Sequence, residues 1–273
     1  MEIFEIIISS LYVMGAAGYL IYLFLQKDHF QKIGYYLLIA GFGLHCISLI
    51  YKVVRTGYIP VNNLHETLFI AGWALVGVFL IFRYKYNLKI LGVYAAPLAA
   101  LIVVSACLLQ NEPGQPREIF NHFWLVFHII AIFTGEASFA LACGIGILYL
   151  LQERSIKTKR PGFFFKRLPS LELLDATGHA CIVTGFTLLT IGLITGFIYA
   201  HVVWGRFWSW DPKEVWSGIS WLLYAGLLHV RFAVGWHGRN AALLAIIGFG
   251  VLLFTFLGVN FFFDGHHGEF TKY

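Results

Sequence analysis

Apolar residues in this chain come in long runs, and polar ones fill the short gaps between. Eight runs can be marked, at about 4–25, 33–51, 66–82, 90–109, 123–150, 179–203, 213–233 and 240–263. A helix needs about 20 such residues, at ~1.5 Å each, to cross a hydrocarbon layer about 30 Å thick. The pattern predicts an all-α polytopic membrane helix bundle with about eight transmembrane helices, counted as a single membrane domain over 1–273.

Composition agrees and narrows the class. Hydrophobic residues make up 59% of the chain and charged ones only 12%, more apolar surface than a soluble core can hide. The net charge of +5 is modest and sits in loops, so no nucleic-acid partner is expected. Loops 26–32, 83–89, 151–178 and 231–239 together hold 13 of the 19 Lys and Arg residues. Basic loops stay cytoplasmic, which puts both termini and the segment after Ala200 outside. The loop 151–178 is the one long hydrophilic insertion, expected to fix topology against anionic membrane lipid. Glu2 and Glu5 replace the basic start of a signal peptide, so the first run is expected to remain as an anchor. Cys46, Cys107, Cys143 and Cys181 stand alone in apolar stretches and read as core residues.

One stretch breaks the apolar monotony. Five of the eight tryptophans fall between Trp204 and Trp221, around Trp208-Ser-Trp210-Asp211-Pro212-Lys-Glu214-Val-Trp216. Asp211 as N-cap, Pro212 at the first helical position and Glu214 as partner of a capping box predict a helix start there. Trp210 and Val215 take the two positions of a hydrophobic staple. An indole suits a greasy-to-wet boundary, but five in eighteen residues point to a surface for a large planar ligand. His128, one turn into the fifth run beside Trp124, and His266 and His267 after the last run lie at the same end. Neutral imidazoles are suited to haem iron.

The run WGRFWSWDPKEVWSGISWLLYAGLLH resembles the tryptophan-rich WWD signature of haem-handling proteins, and most closely the CcsA (ResC) family of system II cytochrome c biogenesis. Pro60-Val-Asn-Asn63-Leu64-His65-Glu66 is similar to a pattern of that family, where an aromatic is common at the position of His65; His65 is therefore read as structural. The resemblance implies haem b held as substrate on the WWD segment, about 201–224, through Trp204, Trp208, Trp210, Asp211 and Trp216. It implies His128 and His267 as axial ligands on the outer side, with His266 one position from the latter. His229, about 24 Å along the helix from Lys213, cannot reach that iron. On spacing alone its face, with Gly218, Leu222, Ala225 and Gly226, reads as close helix packing. The family resemblance instead makes His229 an iron ligand for haem in transit, opposite a residue of a CcsB (ResB) partner, with His45 an internal alternative. His179 reads as a residue at the start of the sixth helix, and Glu136 as a protonated carboxyl bonded to a neighbouring helix.

The expected function is that of a haem-handling subunit of a cytochrome c synthase, a haem lyase complex with a CcsB-like protein. It would carry haem to the outer face for thioether attachment to the C-x-x-C-H motif of an apocytochrome c. No catalytic residue is assigned. Alternatives are a CcmC-type exporter feeding a haem chaperone, and a bis-histidine b-type electron-transfer subunit. The expected location is a bacterial inner membrane, or a thylakoid membrane.

Overall fold

The computed structural model describes residues 2–109, 122–158, 162–163 and 165–262. The described residues are helical, with no strand among them. Eight helices are long and apolar enough to cross a membrane. In chain order they are α1 (Glu2–Leu25), α2 (Asp28–Thr56), α3 (Leu64–Tyr86), α4 (Gly92–Leu108, entered through a 3-10 turn at Lys89–Leu91), α5 (Phe123–Lys157), α6 (Leu171–Trp204), α7 (Pro212–Val234) and α8 (Arg239–Leu253). A π-helical turn, Phe254–Gly258, prolongs α8 into a last turn, α9 (Val259–Phe262). The helices group into two compact units, one holding α1 to α4 and the other α5 to α9.

In the first unit α1 packs on α2 and α4, and α3 packs on α4. Without water to drive association, helices in lipid rely on close backbone approach and on polar ties. Both are present. A side chain on Gly18 would meet the Gly34 Cα at 3.0 Å, so α1 and α2 touch backbone to backbone. Four helices are tied at one end: His65 Nδ1–H donates to the Ala106 carbonyl at 2.7 Å, and His65 Nε2 lies 3.4 Å from Glu5. Lys52 meets Glu66 at 2.7 Å. His65 is thus structural, as read. His45 is fully buried, its Nδ1 3.2 Å from the Tyr12 hydroxyl and its ring centroid 4.0 Å from that of Phe69. Enclosed in this way, it is a core side chain.

In the second unit α5 and α6 run antiparallel along most of their length, with α8 against α5. Gly178, Gly185 and Gly192 recur every seven residues on α6 and receive Ile145, Phe139 and Ile132 of α5. A side chain on Gly185 would come within 2.9 Å of the Phe139 ring. At the opposite end from the tryptophans, Arg231 of α7 forms a two-pronged pair with Asp175 of α6, at 2.6 and 3.1 Å. Asp175 also accepts from the Gly238 amide at 2.8 Å, which fastens the turn between α7 and α8.

Two expectations are corrected here. Much of the supposed loop 151–178 is helix, because α5 continues to Lys157 and α6 already begins at Leu171. The Ser170 side chain caps α6, and Lys157 pairs with Glu153 one turn back on α5, so neither extension needs an apolar sequence. For the same reason His179 is not at a helix start. It lies two turns into α6, its ring edge-on to Phe232. None of the four cysteines is in a disulfide; Cys143 and Cys181 are buried, and the Cys46 sulfur accepts from the Trp73 indole at 3.2 Å.

Candidate functional site

The tryptophan segment is a short, stiff loop between α6 and α7. Helix α6 stops at Trp204 because Gly205 turns left-handed (φ 71°) and returns its amide to the His201 carbonyl. Helix α7 starts with the expected capping box, Asp211 accepting from the first turn and Glu214 reaching back. Glu214 does more than the motif requires. It accepts from the Ser209 amide at 2.8 Å, the Ser209 hydroxyl at 2.9 Å and the Asp211 amide at 3.3 Å. One carboxylate therefore holds two residues of the loop through three hydrogen bonds. Ser209 was not singled out in the sequence, although a serine two residues before an Asp-Pro cap was the available signal.

The fixed loop turns its aromatics to different surroundings. Trp208 packs between Phe197 of α6 and Trp210, with centroids 5.7 Å away in both cases. Trp204 meets Tyr199 edge-on. Phe207 stacks flat on His201 at 4.1 Å yet is 56% exposed. Trp210 is 78% exposed, so the staple with Val215 is not closed. The backbone explains this: Trp210 has φ 58°, which turns its side chain away from the helix it precedes. Trp216 lies against Phe254 at 4.6 Å, and Trp221 donates to the Thr190 hydroxyl at 2.9 Å. Trp221 is thus a strut between α6 and α7, ~15 Å along the helix from Asp211, and not part of the ledge formed by Trp204, Phe207, Trp208 and Trp210.

His128 belongs to the same tier of the unit. Its Nδ1–H donates to the Gly192 carbonyl at 2.8 Å, and its ring fills the space over Gly196, where a side chain would meet Nδ1 at 2.7 Å. Gly196 directly precedes Phe197, the ring that supports Trp208. The bond to Gly192 has a chemical consequence. In the neutral ring it places the proton on Nδ1 and the lone pair on Nε2, the arrangement in which histidines bind iron. His267 and its neighbour His266 lie outside the described residues.

The remaining candidates lie elsewhere. His229 is on α7, eighteen residues beyond Asp211 and ~27 Å along the axis. Its side chain is exposed, as is Leu222 at 65%, and nothing lies within 4 Å of the space above Gly226. The close helix neighbour that its small-residue face suggested is not seen among the described residues. Glu136 of α5 interacts electrostatically with Lys213, at the first turn of α7. The interhelical hydrogen bond expected of Glu136 is not seen among the described residues.

A family model described as cytochrome C assembly protein matches residues 61–267. The chain belongs to this family. The match takes in the whole tryptophan loop together with His128, His229 and His267. Among curated relatives, the cytochrome c biogenesis protein CcsA of Prochlorococcus marinus (strain MIT 9301) is 35% identical over 244 residues, 81% of this chain and 79% of its own. The protein of the same description from Synechococcus sp. (strain JA-3-3Ab) is 31% identical, with 78% of each chain covered. A solved structure described as cytochrome c heme lyase CcmF shares the fold, with a TM-score of 0.63 at 16% identity over 98% of this chain. This chain spans about half, 47%, of that one. With eight spanning helices and these relatives, the protein is an integral membrane protein of cytochrome c biogenesis.

Proposed function

We propose that this chain handles haem as a substrate and presents it on the Trp204–Asp211 loop for attachment to apocytochrome c. One observation carries the reading. An aromatic ledge locked by Glu214 lies in the same tier as an imidazole whose Nδ1–H is anchored on the Gly192 carbonyl. Such a ring offers Nε2 to iron in a fixed orientation. The donor set fits a porphyrin: planar apolar rings to lie against its face and a histidine to take its metal.

His128 is assigned as one axial ligand and His267 as the other, with Trp204, Trp208, Trp210 and Asp211 orienting the macrocycle. Trp216, packed against Phe254, is assigned to the same haem surface. The haem, when bound, supplies the vinyl groups to which cysteine thiols of a C-x-x-C-H motif add. The chain's own contribution is placement, which by itself can remove a large entropic part of the barrier. His229 is assigned as a ligand for haem b in transit, its exposed face completed by a CcsB-like partner. Its distance from Asp211 makes it a second site.

The test is the absorption spectrum of the purified protein, with and without that partner. His128→Ala is expected to lower haem content at the loop and to regain it with added imidazole. His229→Ala is expected to deplete haem that imidazole at the loop does not restore. Full haem content and an unchanged spectrum in both variants would sink the assignment.

A further inference from the structure

The turns that join α1 to α2 and α3 to α4 lie at one end of the first unit, away from Glu5, His65 and Glu66. Residues 26–32 and 83–89 supply five Lys and Arg there and a single carboxylate, Asp28. Lys89 takes that carboxylate, at 2.9 and 3.0 Å. The excess is positive, and one member of it is held rigidly.

That member is Arg83, half-buried near the end of α3. Asn87 caps the helix in the left-handed conformation (φ 50°), and its side-chain oxygen accepts from Arg83 Nη1 at 2.8 Å. Gln31, 1% exposed in the first turn of α2, accepts from Nη2 at 3.3 Å. One turn further along α2 the Tyr35 ring lies 5.5 Å from the guanidinium carbon. Two helices thus fix the guanidinium, yet only two of its five donors are met, both by neutral amides. Its Nε is buried without an acceptor among the described residues, and so is the hydroxyl of the fully buried Tyr19, which interacts with the same guanidinium. Lys52, Lys89 and Arg231 each meet a carboxylate; Arg83 meets none among the described residues.

A guanidinium already fixed in place loses little further freedom on binding, and its planar fork matches the oxygens of a phosphate. The start of α2, which has no side-chain cap, adds the positive end of a helix dipole beside Gln31. The surroundings favour a phosphate carried by lipid. Ile33 and Ile81, each two residues from Gln31 or Arg83, are 40% and 64% exposed, and Tyr84 is 86% exposed. Such a surface suits acyl chains and the level of their headgroups.

We propose that Arg83 is the centre of a binding site for the headgroup phosphate of an anionic phospholipid, whose acyl chains lie along Ile33 and Ile81. A lipid seated there ties α2 to α3 at this end of the unit, as Lys52 and Glu66 do at the other. The site holds or fails independently of haem.

Native mass spectrometry of the full chain, released from nanodiscs of equal phosphatidylglycerol and phosphatidylcholine, reads which lipid stays bound. Retained phosphatidylglycerol is expected to fall about tenfold or more in Arg83→Gln, which removes charge-assisted hydrogen bonds. Lys32→Gln, at an exposed lysine of α2, is expected to change it by no more than about fivefold, the effect of one charge near the surface. Should Arg83→Gln not fold, Asn87→Gly keeps the left-handed turn, releases one hold on the guanidinium and is expected to lower retention as well. Retention at the wild-type level in either variant overturns the site, as does a loss in Lys32→Gln equal to that in Arg83→Gln. Inorganic phosphate added to nanodiscs of phosphatidylcholine alone is expected to leave thermal unfolding unchanged. A rise in unfolding temperature that depends on Arg83 would assign the site to free phosphate and overturn lipid as its ligand.

Discussion

Two helices of this protein start with the same local grammar and put it to opposite uses. Helix α3 is capped by Asn63, whose side chain accepts from the Glu66 amide, while Glu66 reaches back to the Asn62 amide and side chain. Helix α7 is capped by Asp211 with Glu214 reaching back to Ser209 and Asp211. The difference is a third element. Glu66 is buried against Lys52 of α2, so the 57–63 turn is drawn down onto its unit. Burial and the Glu66 charge accordingly push the Tyr58 phenol above its usual range. Glu214 bonds within its own loop, which stiffens the segment yet leaves Phe207 and Trp210 facing outward. A capping box sets the start of a helix; what its carboxylate meets beyond the box decides whether the loop is closed or displayed.

The largest effect is expected from breaking the closed version. Lys52→Met strands the buried Glu66 carboxylate and should cost ~3 kcal/mol or more, read as a fall in thermal stability in detergent. Adding Glu66→Gln to that variant should recover much of the loss, since the uncompensated charge is removed. If the double variant is no more stable than Lys52→Met, the ion pair is not what holds the turn.

Next comes the frame that carries the displayed loop. Gly185→Leu forces α5 and α6 apart at Phe139 and should cost about 2–3 kcal/mol by overpacking. The same substitution at Gly43, which has nothing within 4 Å, provides the control and should be near neutral.

Glu214→Ala opens the displayed version. Three loop hydrogen bonds lose their acceptor, and the cap is weakened by roughly 1–2 kcal/mol. Amide hydrogen exchange at Ser209 and Asp211 should accelerate while that of α3 is unchanged. Protection retained at both amides would mean that the loop is held by its aromatics instead.

Smallest in stability, and sharpest for function, is Trp210→Ala. An exposed side chain should change stability by no more than about 0.5 kcal/mol. On the proposed reading haem retention nevertheless falls, measured from the Soret absorbance per protein. Stability and haem retention falling together would instead make Trp210 a packing residue.

Much of this was legible in advance. Eight runs of apolar residues are eight spanning helices because lipid leaves a backbone no other way to satisfy its hydrogen bonds along a single segment. The α7 start was equally readable, since a capping box is a contact between residues three apart. Helix ends beyond the apolar runs were not: α6 begins eight residues before its apolar run, where Ser170 and ordinary helix formers suffice. The outward turn of Trp210 was also hidden, because the staple positions were correct and only a single backbone angle undid them.

By itself the chain determined its helices, its caps and the clustering of tryptophans, all of which follow from neighbours in sequence. Tertiary structure alone decided which polar groups meet: His128 with the Gly192 carbonyl, Glu5 with His65, and Asp175 with Arg231. The physical reason is that each pairing depends on the rotation of one helix against another. That rotation is set by where glycines let backbones approach, a property of two surfaces in contact that neither run of residues displays alone.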